Sequence, residues 1–245
     1  MEVNLAIDQG NSAAKVAMFD GQTLLWAKRY DRLSPDDIRR LTRGQSVRGA
    51  IYSSVSHTQA GLRDTLQSTA ATTVELDHLT PMPMAIEYAT PETLGHDRIA
   101  AAAGALEACQ GQDCVVIDAG TALTLDTVTA DGRYRGGNIS PGLNMRLEAL
   151  HHYTSRLPRV SPEGQTPLIG SDTQTAIRSG VEIGLACEID GYIQRVTDLT
   201  GKEPAVIVTG GDCHTVAALM KTPAMVDENL VMRGLNRILL YNENI

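Results

Sequence analysis

The sequence predicts a mixed α/β protein in which one strand-rich unit occurs twice. Apolar strand patterns alternate with helical patterns along the 245 residues, as they do in α/β folds. A strand ending in Asp-x-Gly, then a second strand and an Asp-Gly turn, starts near residue 3 and again near residue 114. The two Asp-x-Gly turns are 110 positions apart and the two Asp-Gly turns are 111 apart. This spacing predicts two domains of one fold, over 1–111 and 112–245.

The first half is expected to open with three strands, over 3–8, 13–19 and 23–28. Asp20-Gly21 between the second and third strands is a strong hairpin signal. Ser34 and Pro35, followed by two acids, predict a short helix that ends near residue 42. The other elements expected in this half are a strand over 47–54, a helix over 57–68, a strand over 73–76 and an Ala-rich helix over 97–109 that stops at Gly111.

The second half repeats this opening and then becomes mainly helical. Its Asp131-Gly132 step matches Asp20-Gly21 of the first half and again predicts a hairpin. The elements expected are strands over 114–119, 122–128 and 133–139, helices over 143–155 and 172–199, a strand over 205–208, a helix after residue 212 and a last helix over 228–241.

Composition argues against several kinds of partner. The 21 basic and 29 acidic residues give a formal net charge of −8, so no general attraction to nucleic acid is expected. No apolar run reaches the roughly 18 residues that cross a bilayer, and the first residues lack a secretion signal. We therefore expect a cytoplasmic protein without membrane contact. The four scattered cysteines predict reduced core thiols rather than a zinc or redox site.

Each Asp-x-Gly turn places a carboxylate beside free backbone N–H groups at the end of a strand. Glycine lets a phosphate approach the backbone, and Asn11 or Thr121 would add a side-chain donor. Because a carboxylate repels phosphate, its useful role is to hold a cation that bridges to the phosphate oxygens. Either turn alone is also an ordinary structural turn, whereas two in repeated units favour a polyphosphate clamp. A third glycine turn, over 209–212, could receive a nucleoside or a phosphate.

The order Asp-x-Gly-Asn, Asp-x-Gly-Thr and strand-Gly-Gly resembles the two phosphate motifs and the adenosine motif of one superfamily. That superfamily contains the acetate and sugar kinases, the heat-shock chaperones and actin. The resemblance implies two RNase H-like (actin-like ATPase) domains with ATP in the cleft between them. The P-loop pattern Gly-x-x-x-x-Gly-Lys-Ser/Thr does not occur in the sequence.

Within that superfamily, six short motifs resemble those of the type III pantothenate kinases, in the same order and spacing. They run from the first strand to beyond residue 210, so the resemblance covers nearly the whole chain. It implies that the protein transfers the γ-phosphoryl group of ATP to pantothenate, giving 4′-phosphopantothenate in the first step of coenzyme A biosynthesis. The motifs are Asp8-Gln9-Gly10-Asn11-Ser12, Gly95-His96-Asp97-Arg98, Asp118-Ala119-Gly120-Thr121-Ala122, residues 136–142, residues 150–158 and Thr209-Gly210-Gly211.

On the nucleotide side, the resemblance implies that Asp8 acts on Mg²⁺ and on the transferring phosphate. Thr121 would touch ATP, and Asp118 would bind the monovalent cation, potassium or ammonium, that the family requires. Two residues depart from the family pattern: Ser12, usually threonine, keeps the hydroxyl, and Gln9, usually apolar, is expected to change the packing behind the loop. The first phosphate loop consists of Asp8, Gln9, Gly10, Asn11, Ser12, Ala13, Ala14 and Lys15.

On the acceptor side, the resemblance implies that Asp97 orients the pantothenate hydroxyl and accepts its proton. In a loose phosphoryl-transfer transition state the base takes that proton late. Arg98 would offer a planar fork to a carboxylate or phosphate, and Thr173 would complete the site across a homodimer interface. The pantothenate site would comprise Tyr88, Gly95, His96, Asp97, Arg98 and Thr173.

Without the resemblance, several of these residues have ordinary structural explanations. Asp97 would be a helix-capping carboxylate beside a surface arginine, and Lys15 a solvated strand lysine. Tyr88 would be a half-buried packing residue, and His96 a surface or capping group.

Two other functions stay open. The superfamily includes ATPases whose nucleotide state controls partners, so the main alternative is a nucleotide-gated interaction or regulatory protein without small-molecule kinase activity. The 95–98 turn and Tyr88 argue against it, because such a protein needs no site for an acceptor alcohol. The other possibility is a kinase of the same fold that acts on a sugar or on acetate.

Overall fold

The computed structural model describes residues 2–10, 13–54, 61–109 and 111–244. Within these ranges the chain forms two mixed β-sheets and a set of α-helices, which confirms the predicted α/β class. The chain divides into two compact units. The first unit contains residues 1–110, 131–135 and 229–245, and the second contains residues 111–130 and 136–228.

The first unit is built on a five-stranded sheet. Its strands are β1 (Glu2–Gln9), β2 (Ala14–Asp20), β3 (Thr23–Tyr30), β4 (Ser46–Ser54) and β5 (Ala70–Glu75). They lie in the order β3-β2-β1-β4-β5, with β1 antiparallel to β2 and parallel to β4. The predicted hairpin is confirmed, since Asp20 pairs with Thr23 across the turn. The carboxyl end of β1 therefore has one neighbouring strand on each side.

Helix α1 (Pro35–Leu41) lies between β3 and β4, α2 (Leu62–Thr69) lies between β4 and β5, and α3 (His96–Ala108) comes later in the first unit. Helix α1 starts as predicted, because the Ser34 hydroxyl accepts a hydrogen bond from the Asp37 N–H and Pro35 stands in the first turn. The helix predicted over 57–68 begins at Leu62, and its residues 57–60 lie outside the described ranges. The core of the unit is aliphatic, with Phe19 fully buried.

The second unit contains the strands β7 (Cys114–Ala119), β8 (Ala122–Val128), β10 (Ala205–Thr209) and β11 (Met225–Val226), and most of β9 (Arg133–Pro141). They lie in the order β11-β10-β7-β8-β9. The short strand β6 (Ala85–Ile86), which the sequence did not predict, pairs in parallel with the first residues of β9, all of which belong to the first unit. The helices are α4 (Leu143–His152), α5 (Thr173–Thr200) and α6 (Cys213–Leu219).

The two sheets have the same strand order, which confirms the internal repeat. The first sheet has the order β3-β2-β1-β4-β5. The second sheet, read from its β9 side, has the order β9-β8-β7-β10-β11, so each of its strands from β7 to β11 takes the place of the corresponding strand from β1 to β5. The strand directions agree as well. Strand β1 is antiparallel to β2 and parallel to β4, and its counterpart β7 is antiparallel to β8 and parallel to β10. Asp8 and Asp118 therefore occupy equivalent positions at the ends of equivalent central strands.

The last helix, α7 (Leu230–Glu243), packs in the first unit against α3 and the sheet. The domain boundary predicted at residue 111 would place this helix in the second domain. The compact units differ from that expectation, because residues 229–245 belong to the first unit. The reason is a close helix crossing: a Cβ at Gly234 would overlap the Ala100 carbonyl, and one at Gly104 would lie 2.5 Å from the Leu230 carbonyl oxygen. In the described part of the chain, no helix is long and apolar enough to cross a membrane.

Candidate active site

The first Asp-x-Gly turn connects β1 to β2 and sets Asp8 between two polar partners. Asp8 lies opposite Lys15 in the antiparallel pair and opposite Ser53 in the parallel pair. Residues in register project to the same face of a sheet, so the carboxylate has an ammonium group on one side and a hydroxyl on the other. The Gly10 N–H donates to the Ala13 carbonyl at 3.0 Å and so closes the turn.

The environment of Asp8 disfavours its charge. Its pKa is raised from 3.8 to about 6, chiefly by burial and next by the negative charge of Asp97. The Ser53 hydroxyl and the Lys15 ammonium act in the opposite direction without offsetting the rise. Asp97 is thus close enough to Asp8 for their charges to repel, and the first unit brings these two predicted site residues together. A bound cation would relieve that repulsion.

Asp97 lies in the first turn of α3, two residues after Gly95. Its Oδ1 accepts a hydrogen bond from the Arg98 N–H at 2.8 Å, and its side chain is half-buried. A Cβ at Gly95 would come within 2.5 Å of the same oxygen, so the carboxylate fits there because Gly95 has no side chain. The local sequence therefore presents a carboxylate at the start of α3.

Arg98 and Tyr88 pack together beside this carboxylate. Arg98 is only 5% exposed, and its guanidinium carbon lies 5.8 Å from the centre of the Tyr88 ring, a cation–π distance. The Tyr88 ring in turn lies 6.1 Å from that of the fully buried Tyr134. The Glu87 N–H donates to the Tyr134 carbonyl at 2.9 Å. Tyr88 is therefore held between a buried arginine and a buried tyrosine and stays half-exposed.

His96 presents a neutral ring next to Asp97. Burial lowers its pKa from 6.5, although the negative charges of Asp97 and Asp77 partly oppose that effect, so the ring is neutral at pH 7. Its Nδ1 atom is buried and has no hydrogen-bond partner among the described residues. A buried unpaired ring nitrogen is costly, which is consistent with a position that a bound group completes.

The second Asp-x-Gly turn connects β7 to β8 in the second unit. Asp118 lies opposite Thr124 of β8 and opposite Thr209 of β10. Asp8 and its antiparallel partner are seven positions apart, whereas Asp118 and its partner are six apart, so the second turn is one residue shorter. Where the first turn has the cationic Lys15, the second has a neutral threonine. The electrostatic surroundings of the two equivalent aspartates therefore differ.

Glycines bring three backbone segments together at the second turn. Gly210 has a φ of 94°, and a Cβ there would overlap Asp118 Oδ1. A Cβ at Gly142 would overlap the Gly120 carbonyl, and the Gly142 N–H donates to the Thr121 carbonyl at 3.1 Å. The turn is thus lined by backbone rather than by side chains, which is the surface that a phosphate or nucleoside can approach closely.

The side chains present suit a cation that keeps water and phosphate oxygens as ligands. Among the described residues, no three His, Cys, Asp or Glu side chains come together as a metal site. Asp8 and Asp118 each offer one hard oxygen donor group in their own unit. Mg²⁺ is commonly held by one or two carboxylates together with water and substrate phosphates, so the single Asp8 carboxylate of the first unit fits a nucleotide-bound Mg²⁺.

The other predicted site residues are placed as follows. Gln9 is half-buried and its side-chain amide donates to the Gly10 carbonyl at 3.3 Å. Thr121 is exposed in the second turn, and Thr173 is exposed as the first residue of α5. Asn11 and Ser12 lie outside the described residues. The roles assigned to all these residues stay predictions.

Sequence reasoning gave no role to Ser53, the buried hydroxyl beside Asp8. The equivalent residue beside Asp118 is Thr209, which the sequence singled out only as part of a glycine turn. The signal available was a hydroxyl residue near the end of β4 and of β10, the apolar strands that pair with β1 and β7. It could be used only once the pairing of β1 with β4 was known, because 45 positions separate Asp8 from its partner.

Solved structures show the fold. The chain superposes on a ROK hexokinase from Thermus thermophilus with a TM-score of 0.55 at 12% identity, covering 98% of this chain and 99% of that one. At this identity the likeness establishes the fold. The fold is that of the actin-like ATPases, and the predicted fold class is confirmed.

Sequence comparisons show the family. A family model for type III pantothenate kinases matches residues 4–195. A type III pantothenate kinase from Phocaeicola vulgatus is 42% identical, covering 99% of this chain and all of the relative. One from Bacteroides fragilis is 43% identical, covering 98% of each chain. The chain belongs to the type III pantothenate kinase family, and the predicted enzyme class, an ATP-dependent phosphotransferase, is confirmed.

Proposed function

We propose that this chain phosphorylates the primary hydroxyl of pantothenate with the γ-phosphoryl group of ATP, and that Asp8 and Asp97 are the two carboxylates on which the transfer depends. Family membership supports the overall reaction. The observation that carries the residue assignment is the closeness of the two acids in the first unit, where the charge of Asp97 raises the pKa of Asp8. One acid at a phosphate-binding turn and another beside an acceptor site suit an in-line transfer.

In this proposal Asp97 is the group that handles the acceptor alcohol. Its carboxylate orients the hydroxyl and takes the proton as the bond to phosphorus forms. Holding the hydroxyl in place supplies much of the rate gain, because little covalent chemistry is left for the protein in a loose transition state. Gly95 gives the carboxylate room, and the neutral His96 ring offers its buried Nδ1 to a bound group.

Asp8 would hold Mg²⁺ together with phosphate oxygens and water. When bound, Mg²⁺ neutralises charge on the transferring phosphate. Lys15 adds a positive charge on the strand opposite, and the first phosphate loop offers its backbone N–H groups to phosphate oxygens. In the second unit, Thr121 lies in the equivalent turn and would contact ATP.

Asp118 would bind a monovalent cation, potassium or ammonium. The support is the second turn itself, where the aspartate has a neutral Thr124 in place of the lysine and lies against glycine backbone. The variant Asp118→Asn should lose stimulation by potassium. Asp198→Asn, at an exposed position late in α5, should keep it. An Asp118→Asn enzyme that potassium still stimulates to the parental extent would contradict this assignment.

The acceptor site would include Tyr88 and Arg98, with Thr173 contributed across a homodimer interface. Tyr88 is held half-exposed between two buried side chains, as a substrate-contacting ring requires. The support for a dimer is the number of large apolar side chains that are exposed in the second unit, since such surfaces commonly mark interfaces. They include Ile139, Met145, Tyr153, Leu168 and Ile169. The acidic, ATP-using enzyme would work in the cytoplasm.

The decisive experiment combines an acceptor panel with a change of cation. ADP release and product mass would be measured with no acceptor, pantothenate, glucose or acetate, in potassium and then in sodium. We expect release only with pantothenate, a product heavier by one phosphoryl group, and a lower rate in sodium. ADP release that ignores pantothenate would instead favour a nucleotide-gated protein, and release driven by glucose or acetate would favour another kinase of this fold.

A further inference from the structure

The internal repeat exposes a pair of hydroxyl residues to which the sequence motifs give no role of their own. Ser53 on β4 lies in register with Asp8, and Thr209 on β10 lies in register with Asp118. Each side chain is 1% exposed. Buried hydroxyl groups normally serve a polar neighbour, and a hydroxyl at the same place in both copies of the unit points to a common task.

Ser53 shows the need for a partner most directly. Its Oγ is buried and forms no hydrogen bond of ordinary length with another described residue. Leaving such a group unpaired costs free energy. The acidic group on the adjacent strand is the Asp8 carboxylate, which lies in register with Ser53. A small movement of the carboxylate towards Ser53 would satisfy both groups.

We infer that Ser53 and Thr209 are positioning residues, each of which donates its hydroxyl to the neighbouring aspartate and so fixes the direction in which that carboxylate presents its free oxygen. Ser53 holds Asp8 from the β4 side while Lys15 holds it from the β2 side. Thr209 holds Asp118, which has no lysine opposite. This inference rests on the roles proposed above for the two aspartates and extends them to the strands behind.

The test uses variants of Ser53 on the full chain: Ser53→Ala removes the hydroxyl and Ser53→Thr restores it. The control is Ser46→Ala, an exposed serine at the other end of β4. For Ser53→Ala we expect kcat to fall about tenfold and the Mg²⁺ concentration for half-maximal rate to rise, the size expected for a hydrogen bond to a charged group. KM for pantothenate should stay within twofold, and Ser53→Thr should recover most of the loss.

A second measurement does not depend on turnover. Each variant would be titrated with ADP in the presence of Mg²⁺, and binding would be measured by calorimetry. Ser53→Ala should bind ADP about tenfold more weakly than the parent, while Ser46→Ala and Ser53→Thr should bind it as the parent does. A folded Ser53→Ala protein whose kcat, Mg²⁺ requirement and ADP affinity all match the parent overturns the inference. If the parent fails to phosphorylate pantothenate, the proposed function fails, and the binding measurement still decides the role of Ser53.

Thr209 is tested in the same way against the monovalent cation. Thr209→Val keeps the shape and removes the hydroxyl, and Thr209→Ser keeps the hydroxyl. We expect potassium to raise the melting temperature of the parent. Thr209→Val should lack that rise and should need about tenfold more potassium for half-maximal rate. Thr209→Ser should behave as the parent. Equal potassium responses in Thr209→Val and the parent would overturn the inference for this copy.

Discussion

At the scale of single residues, Asp97 is the side chain whose chemistry is simplest to isolate. The variant Asp97→Asn keeps the size of the side chain and its hydrogen bond at the start of α3, but it cannot accept a proton. We expect turnover to fall by about 10²–10⁴-fold while ATP binding and the melting temperature change little. The measurement is steady-state phosphorylation of pantothenate beside ADP titration.

For that substitution the matched control is Asp77→Asn, which changes another carboxylate that acts on the same histidine, His96. Asp77 is exposed and lies in a turn. An Asp97→Asn enzyme within a few-fold of the parental rate would remove Asp97 from the role of base.

Asp8 gives a residue-scale prediction about stability and pH. Because its pKa is higher in the folded protein than the unfolded value of 3.8, ionisation costs stability as the pH rises from about 4 through about 6. Without ATP and Mg²⁺, Asp8→Asn should therefore be more stable than the parent at pH 7.5, by roughly 1–2 kcal/mol after allowance for solvent screening. At pH 4 the difference should vanish.

Thermal melts of the apo proteins across this pH range would show the effect of Asp8. Asp20→Asn, an exposed carboxylate of the same unit, is the control and should follow the parent at every pH. An Asp8→Asn protein that is less stable than the parent at pH 7.5 would mean that the Asp8 charge is stabilised by the fold, contrary to the raised pKa.

At the scale of elements, the crossing of α3 and α7 depends on two glycines. The variant Gly234→Ala places a methyl group against the Ala100 carbonyl, so the helices must separate, and we expect a loss of about 2–4 kcal/mol. Gly191→Ala in α5 is the control, since no atom lies near the added methyl group. It should stabilise the chain by up to about 1 kcal/mol through helix propensity.

Chemical denaturation of the two glycine variants would separate a packing effect from a propensity effect. Both changes raise helix propensity, so propensity alone predicts that both variants are more stable than the parent. Only the close helix crossing predicts that Gly234→Ala is less stable while Gly191→Ala is more stable. A stabilised Gly234→Ala protein would show that the two helices tolerate a larger spacing.

Most elements could be predicted because their signals are local. The two Asp-Gly hairpins, the capped start of α1 and the long α5 each follow from residues adjacent in sequence. The short strands β6 and β11 were missed, since two residues carry no alternation pattern. Their strand character comes from pairing with distant segments.

The candidate site divides in the same way. Asp8, Asp97 and Asp118 could be singled out from the sequence because each belongs to a short motif. Ser53 was missed because its significance comes only from register with Asp8 across a parallel pair. The placement of α7 was missed for the same reason, since no local signal announces a return to the first unit.

At the scale of the whole molecule, the exposed apolar side chains of the second unit predict self-association. The double variant Leu168→Glu with Ile169→Glu places two charges where the parent exposes two large apolar groups, 77% and 83% exposed. We expect the variant to sediment as a monomer. Because each acceptor site would then lack the Thr173 contributed across the interface, the KM for pantothenate should rise at least tenfold.

The control for the double variant is Leu199→Glu, an equally exposed leucine at the far end of α5. It should sediment as the parent does. If the double variant keeps both the parental mass in solution and the parental KM, the surface around residues 168 and 169 is not the interface.

The position of α7 also has a consequence for how the chain is made. The helix that covers α3 is translated after the entire second unit, so a nascent chain of about 110 residues has a sheet and an Ala-rich helix with no cover. The later segment, from residue 136 to residue 228, leaves the ribosome complete before that cover arrives. Most of the first unit is therefore synthesised before the second unit but completes its fold after it. A chain that terminates before residue 230 lacks the helix that completes the first unit.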